Sequence, residues 1–193
     1  GSSNLVVTAM SAQGILVGYY SGLGQDHGFM WNNGQLLAPF NPTGSAENHT
    51  LGVNFLGNRV GYYALSNGVT YAGYSQIGNA FTQITYPGSA INTYATAINS
   101  NRDIIGYYSD FTRNKTFGFR LRNGNFTIID SPGTSGSMGS PIAINDSGDI
   151  AGNYGRFPSS FGFLLRNLPD SCTYSVNPSD TVLPASGGSG SFH

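Results

Sequence analysis

Residues that could carry out acid–base or nucleophilic chemistry are few in this chain of 193 residues, which has three histidines and one cysteine. Asp26 and His27 are adjacent, but a Ser-His-Asp hydrolase also needs an activated serine, and no Gly-x-Ser-x-Gly turn is present. A glycosidase needs two carboxylates, and Glu47 is the only glutamate. The sequence therefore predicts a protein that is not an enzyme, with no catalytic residues and no cofactor.

Metal and phosphate motifs are equally weak. Segment 145–149 reads Asn-Asp-Ser-Gly-Asp, like the start of a calcium loop, but it lacks the final glutamate and occupies the place of a hairpin turn. Asp103 and Asp149 are predicted to cap such turns. Segment 133–139 is rich in glycine, but no lysine follows it that could contact a phosphate. We predict no metal site, and we interpret the single Cys172 as a small buried hydrophobic residue.

The chain contains four copies of one unit, spaced about 45 residues apart. A glycine followed by an aromatic residue or asparagine and then a tyrosine marks the copies at 18–20, 61–63, 106–108 and 152–154. A glycine before an aromatic residue repeats at 28–29, 73–74, 118–119 and 162–163. Repeats of this length are modules that bury their apolar faces against their neighbours.

The third copy shows what one unit contains. Strand patterns cover 96–99, 103–108, 116–122 and 126–130, and an Asn-Gly hairpin turn at 123–124 separates the last two. Four strands make one propeller blade. We predict an all-β, four-bladed β-propeller-like ring built from four four-stranded repeats. An open fragment of a larger propeller or a linear stack remains the alternative.

The predicted domain organisation follows from these repeats. The blades cover about 6–46, 47–91, 92–137 and 138–178. Residues 179–193 are interpreted as a tail, a linker or the start of a truncated module.

The second strand of each copy supplies the candidate binding residues, because aromatic rings stack on sugars. Tyr20, Tyr63, Tyr108 and Tyr154 share one face, and Tyr19, Tyr62 and Tyr107 share the other. The single tryptophan, Trp31, is a further candidate, although core packing is the interpretation that we favour. The glycine at the centre of this strand is interpreted as space for an aromatic ring from a neighbouring strand or blade, with close approach of a ligand as the alternative.

Composition narrows the range of partners. Charged residues make up 9% of the chain and its net charge is −1, so no basic surface for nucleic acid or anionic lipid is expected. No apolar run is long enough to cross a membrane as a helix. Neutral glycans, and other copies of the chain, are the partners that fit.

The third copy also resembles a known family. Ala-Ile-Asn-x-x-x-Asp-Ile-x-Gly-x-Tyr at 97–108 and Phe-Thr-x-Ile-Asp-x-Pro-Gly at 126–133 resemble the bacterial extracellular HAF repeats. Residues 27–29 match the His-Gly-Phe form of the family tripeptide, whereas Ala72, Phe117 and Phe161 replace the histidine elsewhere. The resemblance implies an exported protein with propeller-like repeats, and it supplies no site residues.

The C-terminal segment admits two interpretations. From residue 172 onwards it resembles the start of a BACON domain, an Ig-like module of bacterial surface and carbohydrate-processing proteins. Residues 173–176 also align with the fourth strand of a fourth blade, which we favour.

Two functions remain in competition. The first is a secreted or cell-surface structural or interaction module that is not catalytic and that assembles with itself through exposed strands at 4–7 and 181–183. The alternative is a glycan-binding propeller, which predicts an exposed tyrosine cluster at one mouth of the ring. A secreted hydrolase ranks below both.

Overall fold

A computed structural model describes residues 4–22, 24–37, 42, 45, 47–88, 90–110, 115–129, 139–156 and 159–166. Within these ranges all helix or strand structure is β-strand, and the strands form four antiparallel sheets arranged as a four-bladed β-propeller. The predicted fold class is confirmed.

Each blade is a meander in which neighbouring strands follow one another in the chain. Blade one contains β1 (Leu5–Met10), β2 (Leu16–Gly22), β3 (Gln25–Asn32) and β4 (Gln35–Leu37). Blade two contains β5 (Asn48–Val53), β6 (Arg59–Ala64), β7 (Tyr71–Ile77) and β8 (Ala80–Ile84). Blade three contains β9 (Ala90–Ile98), β10 (Ile104–Asp110), β11 (Lys115–Arg122) and β12 (Asn125–Ile129). Blade four contains β13 (Ser140–Ile144), β14 (Ile150–Arg156) and β15 (Ser159–Leu165).

The predicted boundaries meet these sheets as follows. The division between 91 and 92 falls inside β9, which begins at Ala90. The strand predicted at 173–176, Cys172 and the 179–193 segment lie outside the described residues.

The outer hairpins of blades one and three turn as their sequence predicts. Asn33 and Asn123 have φ angles of 47° and 51°, and the glycines after them have φ angles of 79° and 81°. Two consecutive left-handed residues are the requirement of a type I′ turn, which Asn-Gly satisfies.

The inner hairpins share one five-residue turn, which begins at Ser11, Asn54, Asn99 or Asn145. In blade four the Asp149 amide donates to Asn145 Oδ1 at 2.8 Å, as the Asp103 amide donates to Asn99 Oδ1 in blade three. Segment 145–149 is therefore the hairpin turn that the repeat pattern predicts. Ser11 Oγ caps the turn of blade one, and asparagine side chains cap the other three. The Asp103 carboxylate pairs with arginines, so the prediction that Asp103 is itself the cap is wrong. The Asp149 carboxylate accepts from Asn145 Nδ2 of its turn at 3.1 Å.

The glycine of each second strand lies at a crowded point. A Cβ atom added to Gly18 would lie 2.8 Å from the Phe29 ring and against the Val6 carbonyl, and Gly106 stands in the same relation to Phe119 and Tyr94. The prediction of space for an aromatic ring is confirmed in blades one, three and four, where the ring belongs to the neighbouring strand of the same blade. In blade two the atoms nearest to a Cβ on Gly61 are backbone atoms of β5. The first strand bulges opposite this point, for example between Val7 and Ala9, which brings its carbonyl close.

The first strand of each blade packs on the sheet of the preceding blade: β5 on blade one, β9 on blade two and β13 on blade three. The bulged threonines tie these layers together, because Thr8 Oγ1 donates to the Thr50 carbonyl at 2.7 Å and Thr96 Oγ1 to the Pro141 carbonyl at 2.9 Å. Asn54 Nδ2 likewise donates to the Asn99 carbonyl at 2.9 Å. Such bonds fix one blade relative to the next.

The largest apolar cluster lies between blades two and three. It consists of Val60, Ile84, Ala95, Ile98, Ile104, Tyr108 and Phe119. Smaller clusters join blades three and four and fill blade one. Between the described strands of blades one and four there is no extensive packing.

Candidate functional site

Five aromatic side chains form a continuous column across blades one to three, which we call the aromatic column. Its members are Tyr19, His49, Tyr62, Tyr94 and Tyr107. Successive ring centroids are 4.0, 4.6, 4.9 and 4.8 Å apart. The structure thus brings together Tyr19, Tyr62 and Tyr107, one of the two tyrosine sets that the sequence predicts to bind.

Strand register explains the column. His49 pairs with Tyr62 across β5 and β6, and Tyr94 pairs with Tyr107 across β9 and β10. Directly paired residues of antiparallel strands share a face, so each blade contributes the same two positions. In blade four these positions are Ser140 and Asn153, and the column of rings ends at Tyr107.

Burial raises the pKa of three tyrosines of the column, Tyr62, Tyr94 and Tyr107. It raises the pKa of Tyr94 to about 12, with neighbouring tyrosines and Glu47 adding to the effect. Burial and then the negative charge of Glu47 raise the pKa of Tyr62 in the same direction. The hydroxyl groups of Tyr62 and Tyr94 are therefore protonated at neutral pH and can donate hydrogen bonds.

The second set of tyrosines is not a shared surface. Tyr63 and Tyr108 are 6% and 4% exposed, so the prediction of an exposed cluster on this face is wrong for both. The Tyr63 hydroxyl donates to Gln83 at 2.6 Å, and Tyr108 stacks on Tyr86 with centroids 3.7 Å apart.

The other two members of this set also contact rings of their own blades. Tyr20 lies beside His27 and Tyr154 beside Phe161. In blades two and three both faces of the second strand are covered, and Tyr63 and Tyr108 therefore pack inside their blades.

Trp31 is 41% exposed, so the prediction that it packs in the core is wrong. It lies at the end of β3, paired with Leu36 of β4. All three residues of β4 are exposed, so the described part of this strand does not bury the indole.

Asp26, Glu47 and His49 form an acid–histidine cluster between blades one and two, at one end of the aromatic column. His49 Nε2 lies 3.2 Å from Asp26 Oδ2 and 3.1 Å from Glu47 Oε1. Potential ligand atoms of the three residues all lie within 4.8 Å of one another. Sequence reasoning missed this cluster because it paired Asp26 with the adjacent His27.

Hydrogen bonds fix the side chain of Asp26 and the backbone of Glu47. Ser21 Oγ donates to Asp26 Oδ1 at 2.6 Å, which turns Oδ2 towards His49. The Glu47 carbonyl accepts from the Ala64 amide at 2.9 Å, which fixes the start of β5. The Ser21 hydroxyl thus contacts the acid rather than the imidazole, the reverse of the order in a catalytic triad.

The buried arginines have structural partners. Arg120, which is 2% exposed, lies 3.2 Å from the Asp103 carboxylate, and Arg122 Nε donates to Asp103 Oδ1 at 2.8 Å. Arg59 donates to Gln76 Oε1 at 2.9 Å. Asp103 thus balances the charge of two arginines inside blade three, whereas Arg59 in blade two bonds a neutral amide. The acid–histidine cluster differs from these contacts because its members come from two blades.

Among the described residues no helix is long and apolar enough to cross a membrane. No protein-family model matches the chain, and no curated protein matches it in sequence.

Proposed function

We propose that this protein is a secreted or cell-surface interaction module, not an enzyme, that assembles head to tail with copies of itself. The observation that carries the proposal is a pair of exposed surfaces, one on β1 and one on β15, at positions that are buried in every other blade. The low charge of the chain and its resemblance to HAF repeats support an extracellular setting.

The first surface is the apolar face of β1. Leu5 is 62% exposed and Val7 is 50% exposed. Strand register makes Val7 equivalent to Thr50 and Ala95, both 0% exposed. Those two are covered because the preceding blade lies on them, whereas no described strand lies on β1 in this way.

The second surface is the face of β15 around Gly162. In the preceding blades the equivalent glycines face the next blade. A Cβ on Gly28 of blade one would meet Thr50 of blade two, and a Cβ on Gly118 of blade three would meet Pro141 of blade four. A Cβ on Gly162 would meet no described atom closer than 3.9 Å. Leu164, two residues further on, is 40% exposed.

The two surfaces are complementary because they are the two halves of the contact that joins each blade to the next. A second copy that places its β1 on β15 would repeat that contact, and a heterologous contact of this kind extends from copy to copy. β1 carries no charged residue that would oppose pairing.

Sedimentation velocity over a range of concentrations tests this assembly. We expect the unmodified chain to associate with rising concentration, and Val7→Lys or Leu164→Lys to remain monomeric because a charge would be buried in the contact. Val69→Lys is the matched control, since Val69 is 74% exposed in a turn of blade two. Equal monomeric behaviour of all four proteins would contradict the proposal.

A disulfide experiment separates assembly from closure within one chain. With Cys172 changed to serine, Val7→Cys and Leu164→Cys are combined and oxidised at low and high protein concentration. Assembly predicts a ladder of linked chains that depends on concentration. A single compact monomer at every concentration would show that one chain joins its own two surfaces.

The alternative, a glycan-binding propeller, is favoured by the aromatic column. The ring of Tyr107 has Tyr94 on one side, and the equivalent residues of blade four are the small polar Ser140 and Asn153. This arrangement offers a ring beside amide and hydroxyl groups, which suits a neutral sugar. A neutral oligosaccharide that binds should then perturb the NMR signals of Tyr107. Binding should be lost in Tyr107→Ala and kept in Tyr154→Ala.

A further inference from the structure

We propose that Asp26, Glu47 and His49 bind a divalent transition-metal ion, with Zn²⁺ as the reference ion, and that the ion links blade one to blade two. This site is independent of self-association and of sugar binding. It rests on the distances within the acid–histidine cluster, on the burial of its histidine and on the fixed orientation of its ligands.

The distances fit a shared metal. Two ligand atoms bound to one Zn²⁺ at bond lengths of about 2.0–2.2 Å lie about 2.8–3.6 Å apart when the angle between them is near octahedral or tetrahedral. His49 Nε2 lies 3.2 Å from the Asp26 oxygen and 3.1 Å from the Glu47 oxygen. The two carboxylate oxygens lie within 4.8 Å of each other, so an ion shared by the three groups requires the carboxylates to rotate towards it.

The hydrogen-bond count also points to a cation. His49 is 7% exposed, and its Nε2 faces two carboxylate oxygens at once. One ring nitrogen carries at most one hydrogen, so it cannot donate a well-directed bond to both. A bound metal accepts the nitrogen lone pair and both carboxylates together, and it offsets their two negative charges.

The surroundings hold the three ligands in position. The imidazole lies between Tyr19 and Tyr62, with centroid distances of 4.0 and 4.6 Å and a nearly parallel arrangement with Tyr62. Ser21 bonds the second oxygen of Asp26 at 2.6 Å, the kind of outer partner that orients metal-binding carboxylates. Glu47 is the most accessible ligand, with a side chain 35% exposed, and gives the ion a path from solvent.

The donor set selects the class of ion. One imidazole nitrogen with two carboxylates suits Zn²⁺ and its first-row neighbours, whereas Ca²⁺ and Mg²⁺ prefer oxygen ligands alone. Three protein ligands leave positions for water or for a group from a partner. Because Asp26 belongs to blade one and the other two ligands to blade two, binding should stabilise the contact between these blades.

Calorimetric titration of the full chain, stripped with a chelator, tests the site with ZnCl₂, CaCl₂ and MgCl₂. We expect one Zn²⁺ per chain, weaker binding of the other two ions, and a rise in the unfolding midpoint of roughly 5–10 °C when zinc exceeds its Kd about a hundredfold. Glu47→Gln and Asp26→Asn should each weaken zinc binding at least about tenfold. His27→Gln is the control and should bind zinc as the unmodified chain does.

Co²⁺ provides a second measurement, because its visible absorption depends on the geometry and the donor atoms of its coordination sphere, which include the imidazole of His49 in this proposal. The spectrum of the bound ion should be lost in His49→Gln and kept in His27→Gln. If His49→Gln does not fold, the partly exposed Glu47→Gln variant decides, with its circular dichroism spectrum as the check on folding. Absence of zinc binding, binding unchanged in both acid variants, or a preference for Ca²⁺ over Zn²⁺ would each overturn the proposal.

Discussion

At the scale of single residues, the inner turn of every blade has the same backbone conformation but not the same side chains. The inner turn of every blade places its fourth residue in the left-handed region, and that residue is glycine at 14, 57 and 148. Blade three has Arg102 there, with a φ angle of 68°. A side chain in this conformation costs about 1–2 kcal/mol, so blade three carries strain that its three equivalents avoid.

Replacement of Arg102 by glycine should therefore stabilise the protein. The relief of strain exceeds the entropy that glycine adds to the unfolded chain, and we expect a gain of about 0.5–1 kcal/mol in the free energy of unfolding. Urea unfolding measures the change.

Gly14→Ala is the matched reverse experiment, because a Cβ there meets no described atom within 4 Å. This variant should lose about 1 kcal/mol of unfolding free energy from backbone strain alone. A less stable Arg102→Gly protein would show that the arginine side chain makes a compensating contact.

At the scale of strands, the features that depend on neighbouring residues could be predicted and those that depend on distant pairing could not. The Asn-Gly turns and the alternation around Gly106 are local, so sequence indicated them. The bulges of β1, β5, β9 and β13 were not foreseen, because a bulge becomes evident only when two strands are aligned. They determine which carbonyl approaches each glycine and which threonine reaches the next blade.

The acid–histidine cluster shows the same limit. Asp26 and His49 belong to different repeats, and their side chains meet because β5 lies on blade one. In an alignment of the repeats, His49 is equivalent to Tyr94. The histidine therefore looks like one more aromatic residue of the repeat. The signal available in the sequence was that three ionisable residues of a charge-poor chain fall on both sides of one blade boundary. Trp31 was misjudged for a related reason, since the described residues of its partner strand β4 are exposed.

At the scale of the whole molecule, the four repeats are similar in sequence but unequal in packing. The largest cluster joins blades two and three, with Val60 and Phe119 both 0% exposed. In blade one, β4 is exposed throughout, and in blade four Leu164 is 40% exposed. Because each blade of a repeat protein is stabilised mainly by its neighbours, blades with one packed neighbour should open before those with two.

Native-state hydrogen exchange can measure this gradient. Amides of β6, β9 and β10, which border the central cluster, should exchange through global unfolding, whereas amides of β4 and β15 should exchange through local opening with a lower free energy. Ile104→Ala in the central cluster should lower the exchange free energy of the two middle blades by about 2–4 kcal/mol. The head-to-tail contact should make exchange depend on protein concentration. Where copies associate, the amides of β1 and β15 should become more protected from exchange, and Val7→Lys should abolish this increase. Equal exchange free energies in all four blades at low concentration would instead mean that the first and fourth blades are joined within one chain and that the ring unfolds as a single unit.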